Sequence, residues 1–491
     1  MGTRRHKLVE DDPLTRAMAP PSNETQQQRE VRIRAEQEAK RVSDSIDEEL
    51  SRQRMADKKG PKPIKILLLG QSESGKSTTL KNLQLMHSPK TFRAEKAYWR
   101  SIIQLNVVQS IHAILDVISR AHAASHPSTS YSSSSQCSSG HVSHGSSSSR
   151  PPSGHKDYPP LTADHLKLKM RLAPLIQVEV ALLRKILPPS QLASADDSSL
   201  HEVCINSNSG WKGAFSKIVG NGDNRKSCDT ADMINWSDPD DPGVVMQACA
   251  EDMKRLWADP IIKRLMEVEK MRPEEMAGFF LDDLDRVTSR RYVPSDDDVL
   301  RARIKTVGVS EHCFTVRSGP LGSSMSHDWR VFDVGGQRSL RAAWVPYFDD
   351  MNAIIFLAPI SCFDQVLQED PSVNRLADSF LLWKTIVSHP LLKKAYLILF
   401  LNKCDILRAK LESGIRLGNY ITSYGNRPND FESASIYLKK KFAALMREHA
   451  NDRPFYCHFT SVTDTKSTAL ILQNVQDAVV HDNLKRSALV G

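Results

Sequence analysis

What this sequence lacks narrows it first. No apolar run approaches the roughly 18 residues needed to cross a bilayer, so membrane contact is expected to be peripheral. No CxxC pair and no Cys/His ligand spacing occurs; the eight cysteines, at 137, 204, 228, 249, 313, 362, 404 and 457, are scattered. No signal peptide opens the chain. These absences point to a reduced, cytosolic protein whose thiols pack singly. A strong excess of one charge is missing too: 66 Lys+Arg against 58 Asp+Glu leave +8 over 491 residues. With no basic-aromatic stripe either, nucleic acid is not an expected partner.

What remains is enough for real cores: 40% of residues are hydrophobic, and the length suits roughly two to four domains. Residues 1–22 are irregular and read as a disordered N-terminus. Over 23–60 a narrow apolar stripe (Val31, Ala35, Ala39, Val42, Ile46, Leu50) runs through a highly charged segment at steps of three and four. That is one face of a helix, stopped by Gly60, Pro61 and Pro63. "IKILLLG" (64–70) reads as a buried strand entering a Gly-rich loop. Helical periodicity follows over 92–122, 161–187 and 244–287. Two polar tracts, about 125–160 and 188–240, interrupt it. The first, Ser-rich, has too little apolar surface to offset chain entropy and reads as disordered. After Arg303 the texture changes. "WRVFDVG" (329–335), "AIIFLAPI" (353–360) and "AYLILFLNK" (395–403) are short apolar runs bounded by turn residues, the later ones separated by helical patterns. Such alternation predicts a parallel sheet covered by helices.

Five stretches carry chemistry, and each gains meaning from its place in the order. "GQSESGKST" (70–78) fits G-x-x-x-x-G-K-[ST] between a strand and a helix. The loop residues Gly70, Glu73, Ser74, Gly75, Lys76, Ser77 and Thr78 would cradle phosphates with backbone N–H groups. Lys76 would serve the β- and γ-phosphates and Ser77 a Mg²⁺ ion. In "FDVGGQ" (332–337), Asp333 can hold the metal through water, Gly336 can approach a γ-phosphate, and Gln337 can orient an attacking water. In "FLNKCD" (400–405), Asp405 can accept both donors of guanine, leaving adenine disfavoured; Asn402 can meet the base edge and Lys403 can cover the ring. "TSVT" (460–463) offers the Val462 backbone to guanine O6. The basic stretch "LRARIKTVG" (300–308) then acquires a purpose. Thr306 can complete the Mg²⁺ shell, Arg303 can stabilise transition-state charge, and Glu73 can hold that arginine.

The set "GQSESGKST", "DVLRARIKTVG", "FDVGGQRS", "FLNKCD" and "TSVTDT", with "FFLDDLDR" (279–286) and the terminal "NLKRSALVG", resembles the alpha subunit of heterotrimeric G proteins, of fungal type. The resemblance covers roughly 24–122 and 244–491 and makes the two polar tracts inserts. It implies an α/β fold: a Ras-like P-loop GTPase domain (61–90 and 299–491) with an inserted all-α helical domain (91–298) and an N-terminal helix. It adds Leu300 and Arg301 to the nucleotide-binding residues. It implies a GTP/GDP switch in which the γ-phosphate holds Thr306 and Gly336. The implied partners are a beta-gamma dimer at the N-terminal helix and second switch, a seven-helix receptor at the C-terminal tail, an effector, and a GTPase-accelerating regulator.

Several positions depart from the family pattern. Leu340, Ala342 and Ala343 stand where charged residues are usual in the second switch, although Arg341, Trp344 and Asp378 remain. Gly2 is present, but His6 and Thr3 make the lipidation signals imperfect. Inner-plasma-membrane association is still expected, helped by Arg4, Arg5 and Lys7. Ser72 stands where the family carries Gly, and its side chain would crowd Gln337 and Arg303. Slow hydrolysis is therefore expected, which keeps a GTP-binding scaffold as an alternative; a P-loop ATPase is disfavoured by Asp405. Ser72→Gly should hydrolyse GTP faster than the parent in single-turnover assays, and equal rates would dismiss the crowding.

Overall fold

The computed structural model describes residues 25–59, 63–125, 157–186, 204–206, 234–238, 241–318, 325–450 and 453–488. The expected disordered N-terminus (1–22) and most of both polar tracts lie outside these residues. The chain divides into two units, residues 1–63 and Ile64 onward.

In the first unit, helix α1 (Gln26–Lys59) begins where Thr25 and Gln28 cap each other: Thr25 N donates to Gln28 Oε1 at 3.0 Å, and Gln28 N to Thr25 Oγ1 at 3.4 Å. Along it, Arg32 pairs with Glu36 at 2.7 Å, an i,i+4 contact that supports a solvated helix. Val31, Val42, Ile46 and Leu50 are exposed.

The second unit is built on a six-stranded sheet in the order β4-β5-β1-β6-β7-β8. Its strands are β1 (Ile64–Gly70), β4 (Val309–Ser318), β5 (Met325–Val334), β6 (Ala353–Pro359), β7 (Tyr396–Asn402) and β8 (Tyr456–Phe459). β1 is flanked on both edges by parallel partners, pairing Leu68 with Asp333 and Leu69 with Phe356. A strand in that position is buried on both faces, which is why "IKILLLG" shows no polar alternation. Its side chains divide by the pleat: Leu67 and Leu69 join one apolar cluster, Ile66 and Leu68 the other. One expectation needs correction. The sheet is mixed, because β4 runs antiparallel to β5 along ten register pairs. Its sequence, "VSEHCFTVRS", alternates and carries charge, as an edge strand does; it lacks the dense apolar signature by which the inner strands were read.

Helices cover this sheet: α2 (Lys76–His87) and α15 (Thr465–Ala488) contribute to one apolar cluster, α12 (Arg375–Ser388), α13 (Cys404–Glu412) and α14 (Phe431–His449) to the other. A third cluster, without strand residues, runs from Phe92 to Ala302. Its members are α3 (Pro89–Ala94), α4 (Lys96–Ser125), α5 (Ala163–Arg171), α6 (Leu175–Ile186), α7 (Pro242–Ala248), α8 (Ala250–Ala258), α9 (Pro260–Val268), α10 (Leu284–Val287) and α11 (Asp296–Arg301). α4 is apolar and long enough to span a membrane, yet 67% of its most apolar window is buried; Ile103, Val107, Ile111, Ile114 and Ile118 make it the core helix. A two-stranded ladder pairs β2 (Cys204–Asn206) in parallel with β3 (Lys305–Val307), placing Ile205 opposite Thr306. Cysteines 249, 313, 362, 404 and 457 form no disulfide among the described residues, in keeping with their scatter.

Trp383 anchors the α12 side of the sheet. It is 1% exposed, with its ring 5.1 Å from Phe356 and its indole N–H donating to Phe442 O at 3.2 Å. Trp383→Ala should cost about 3–5 kcal/mol in denaturant unfolding; a loss below about 1 kcal/mol would mean the site collapses onto the gap.

Candidate nucleotide site

The ends of β1, β5 and β7 open into a cavity of about 450 Å³ whose walls include residues 72–78, 300–306, 333, 334, 336, 337, 402, 403 and 405. The loop after β1 needs its glycines. Gly70 and Gly75 adopt φ of 144° and 103°. A Cβ on Gly70 would lie 2.4 Å from Leu357 O, and one on Gly75 2.4 Å from Asn402 Nδ2. No side chain caps the N-terminus of α2, so its first N–H groups are available to an anion. Lys76 reaches back over the loop and donates to Gly70 O at 2.9 Å and Gln71 O at 2.7 Å. Burial lowers its ammonium to a pKa of about 8, against the pull of Asp333.

Three segments far apart in sequence meet beside it. Ser77 Oγ donates to Asp333 Oδ2 at 2.7 Å and lies 3.1 Å from Thr306 Oγ1. Asp333 is 2% exposed; burial pushes its carboxyl above the ordinary value, and its Oδ1 has no hydrogen-bond partner. Gly336 lies so close to the loop that an added Cβ would fall 2.4 Å from Ser72 N. Ser72 and Gln337 both line the cavity.

The arginine sits opposite. Arg303 Nη2 pairs with Glu73 Oε1 at 2.8 Å. Burial alone would raise the Glu73 carboxyl, but Arg303, Arg375 and Lys403 hold it below the ordinary carboxylate value. Asn106 clamps the backbone of Arg303 at both ends: Arg303 N donates to Asn106 Oδ1 at 2.8 Å, and Asn106 Nδ2 to Arg303 O at 3.0 Å. Arg375 Nη2 donates to Ser72 O at 2.9 Å and so supports the loop from α12. Thr78 Oγ1 lies 3.4 Å from Leu300 O. Arg301 borders the cavity, but its guanidinium is taken up by Asp283 at 2.8 Å and Asp298 at 3.1 Å. Asn106 and Arg375 escaped the sequence reading. Neither lies in a recognisable motif, and Asn106 is 197 residues from the arginine it holds.

At the far end, Asn402 is fully buried. Its Nδ2 donates to Ser74 O at 2.7 Å, and its Oδ1 accepts from Thr460 Oγ1 at 3.1 Å and Val462 N at 3.2 Å. Asn402 is thus a tie between two loops, with one amide hydrogen left for a base edge. The Val462 N–H is already engaged by that tie, so meeting a base oxygen requires sharing it. Lys403, in the left-handed region at φ 63°, precedes α13, and Asp405 stands exposed on that helix's first turn at the cavity rim.

A profile of the G-protein alpha subunit family matches residues 40–479. The chain belongs to that family. Among similar proteins, the guanine nucleotide-binding protein alpha-4 subunit of Mycosarcoma maydis is 30% identical over 99% of this chain and 97% of its own length. The alpha-2 subunit of Neurospora crassa is 29% identical, covering 91% and 96%, and the alpha-1 subunit of M. maydis 28%, covering 93% and 98%. As a member, the protein is a guanine nucleotide-binding alpha subunit and a GTPase of heterotrimeric G-protein signalling. Family membership brings GTP and GDP as ligands and, in general terms, a beta-gamma dimer, a receptor and effectors as partners.

The clamp on Arg303 is open to test. Asn106→Ala should slow single-turnover hydrolysis about tenfold while GTP affinity changes less, because the guanidinium loses orientation rather than charge. Parallel losses in both would show Asn106 to be a general packing residue.

Proposed function

We propose that the cavity hydrolyses GTP through a cation, a hydroxyl pair and a positioned water, and that the loops around it read the terminal phosphate. The juxtaposition of Ser77, Thr306 and Asp333 carries this reading. Two hydroxyls and a buried carboxylate with one unpartnered oxygen form a hard-oxygen set of the kind that suits Mg²⁺. Among the described residues no group of three or more His, Cys, Asp or Glu offers a competing site. Ser77 and Thr306 would ligate the ion directly and Asp333 through water. Bound there, Mg²⁺ would neutralise charge on the β- and γ-phosphate oxygens.

The remaining roles follow from place and charge. Lys76 and the backbone of Gly70, Glu73, Ser74, Gly75 and Thr78 hold the phosphates, with Leu300 and Arg301 bordering them. Gln337 orients the attacking water. Arg303 leaves or shares its Glu73 partner to meet the charge that builds on the transferring phosphoryl group. Asp405 accepts the paired donors of guanine, and Asn402, Lys403 and Val462 complete the base site. The γ-phosphate draws Thr306 and Gly336 together, and its loss releases both segments.

On the same reading, the cluster from Phe92 to Ala302 is the inserted helical domain, and residues 61–90 and 299–491 form the Ras-like part. The α1 helix and the 3-10 segment Arg338–Tyr347 serve a beta-gamma dimer, the C-terminal tail a seven-helix receptor, and a regulator accelerates hydrolysis. The protein works at the inner face of the plasma membrane. Ser72, which lines the cavity beside Gly336, supports a second reading in which hydrolysis is slow enough for the GTP form to act as a scaffold.

Arg303→Ala decides the catalytic assignment. It should lower single-turnover hydrolysis by about 100-fold or more while GTP binding persists. A parent rate below the GTP off-rate would favour the scaffold, and an unaltered rate in the variant would remove Arg303 from the chemistry.

A further inference from the structure

The loop residue Gln71 belongs to no motif position with an assigned task, yet it is 1% exposed and its side chain is aimed away from the nucleotide cavity. Its Nε2 donates to Arg375 O at 2.7 Å and to Asp378 Oδ2 at 2.5 Å, both on the first turn of α12. Asp378 is itself 3% exposed and receives a two-pronged bond from Arg341: Nη1 to Oδ1 at 3.0 Å and Nη2 to Oδ2 at 2.6 Å. One buried carboxylate therefore takes donors from the phosphate loop and from the 3-10 segment Arg338–Tyr347. Burial would raise the Asp378 carboxyl, but the bonds from Arg341 and Gln71 bring it below the ordinary value, so it stays ionised and the contacts are charge-assisted.

The phosphate loop also meets the stretch just before that segment through its backbone. A Cβ on Gly336 would fall 2.4 Å from Gln71 C and 2.5 Å from Gln71 O. Gln71 is thus pressed by Gly336 on its main chain and joined through Asp378 to Arg341, five residues further along. Ser72, the next residue, has its carbonyl held by Arg375 at 2.9 Å. If Arg341 withdraws, Asp378 is left with Gln71 as its remaining side-chain donor, a costly state for a buried anion. Movement of the segment and movement of the loop are therefore energetically linked.

We propose that Gln71 is a positioning residue: its amide, held by Asp378, fixes the phosphate loop against the Arg341–Asp378 pair, so that the geometry of the loop follows the state of that pair. The coupling rests on the nucleotide reading given above and assigns it an internal lever. It makes Gln71 important for hydrolysis geometry and for the conformational response, and of little consequence for GDP affinity.

The test uses the full-length protein. Gln71→Met keeps length and removes the donor. It should slow single-turnover GTP hydrolysis about tenfold while GDP affinity stays within about twofold, because alignment is lost and binding contacts are not. Combined with Arg341→Lys it should be no slower than the slower single variant, since both act through one carboxylate. Gln71→Asn, which keeps the amide but falls one methylene short, should show the same slowing and serves if Gln71→Met does not fold. Hydrolysis within about twofold of the parent in either variant, full additivity with Arg341→Lys, or equal losses of GDP affinity and rate would overturn the coupling. A parent chain that binds no guanine nucleotide would instead overturn the site reading on which it rests.

Discussion

The 2.7 Å bond from Ser77 Oγ to Asp333 Oδ2 is the contact around which the site is assembled. It joins the first turn of α2 to the end of β5, and Thr306 closes on the same hydroxyl at 3.1 Å. The bond exists because β1 and β5 pair in parallel with Leu68 opposite Asp333. That register puts the carboxylate level with the exit of β1, where the phosphate loop begins. A shift of one residue would turn Asp333 to the other face of the sheet and leave Ser77 without its acceptor.

Around that contact the described residues keep a set of buried charges, several of them in ion pairs. Glu73 lies between Arg303 and Arg375. Farther out, Lys410 pairs with Glu275 and with Asp364, each at 2.6 Å, and Arg272 closes the box at 3.0 and 2.8 Å to the same two carboxylates. Lys410 follows β7 and Asp364 follows β6, whereas Glu275 belongs to the stretch after α9, so this box ties the sheet side to the helical side. Lys81 makes another tie without any anion. It donates to Val299 O and Ala302 O, each at 2.8 Å, and lies 4.1 Å from the Trp99 ring centroid. Burial lowers its ammonium to a pKa of about 7. Pairing offsets desolvation but does not cancel it, so such groups contribute geometry more than stability.

Much of this was legible beforehand because it is local. Strands β1, β6 and β7 are dense apolar runs, as strands buried on both faces are, and β1 and β7 end at residues of the candidate site. The loop glycines were readable because no other residue tolerates φ above +100° against Leu357 O and Asn402. The edge strand β4 was not legible, since its alternation and charges resemble a solvated stretch. Asn106, Arg375 and Gln71 were not legible either: each acts on a partner 197 to 307 residues away, and no spacing rule reaches that far.

The order of motifs along the chain determined by itself which residues are candidates to meet phosphate, metal, water and base, because each motif depends on a short run of backbone whose shape its own residues dictate. Only the tertiary structure decided how those groups are held. It made Asn402 a tie between two loops, gave Arg303 a glutamate and an asparagine to lean on, and set one carboxylate, Asp378, between Gln71 and Arg341. Such contacts depend on strand register and helix packing, which sum many weak long-range terms that no single segment encodes.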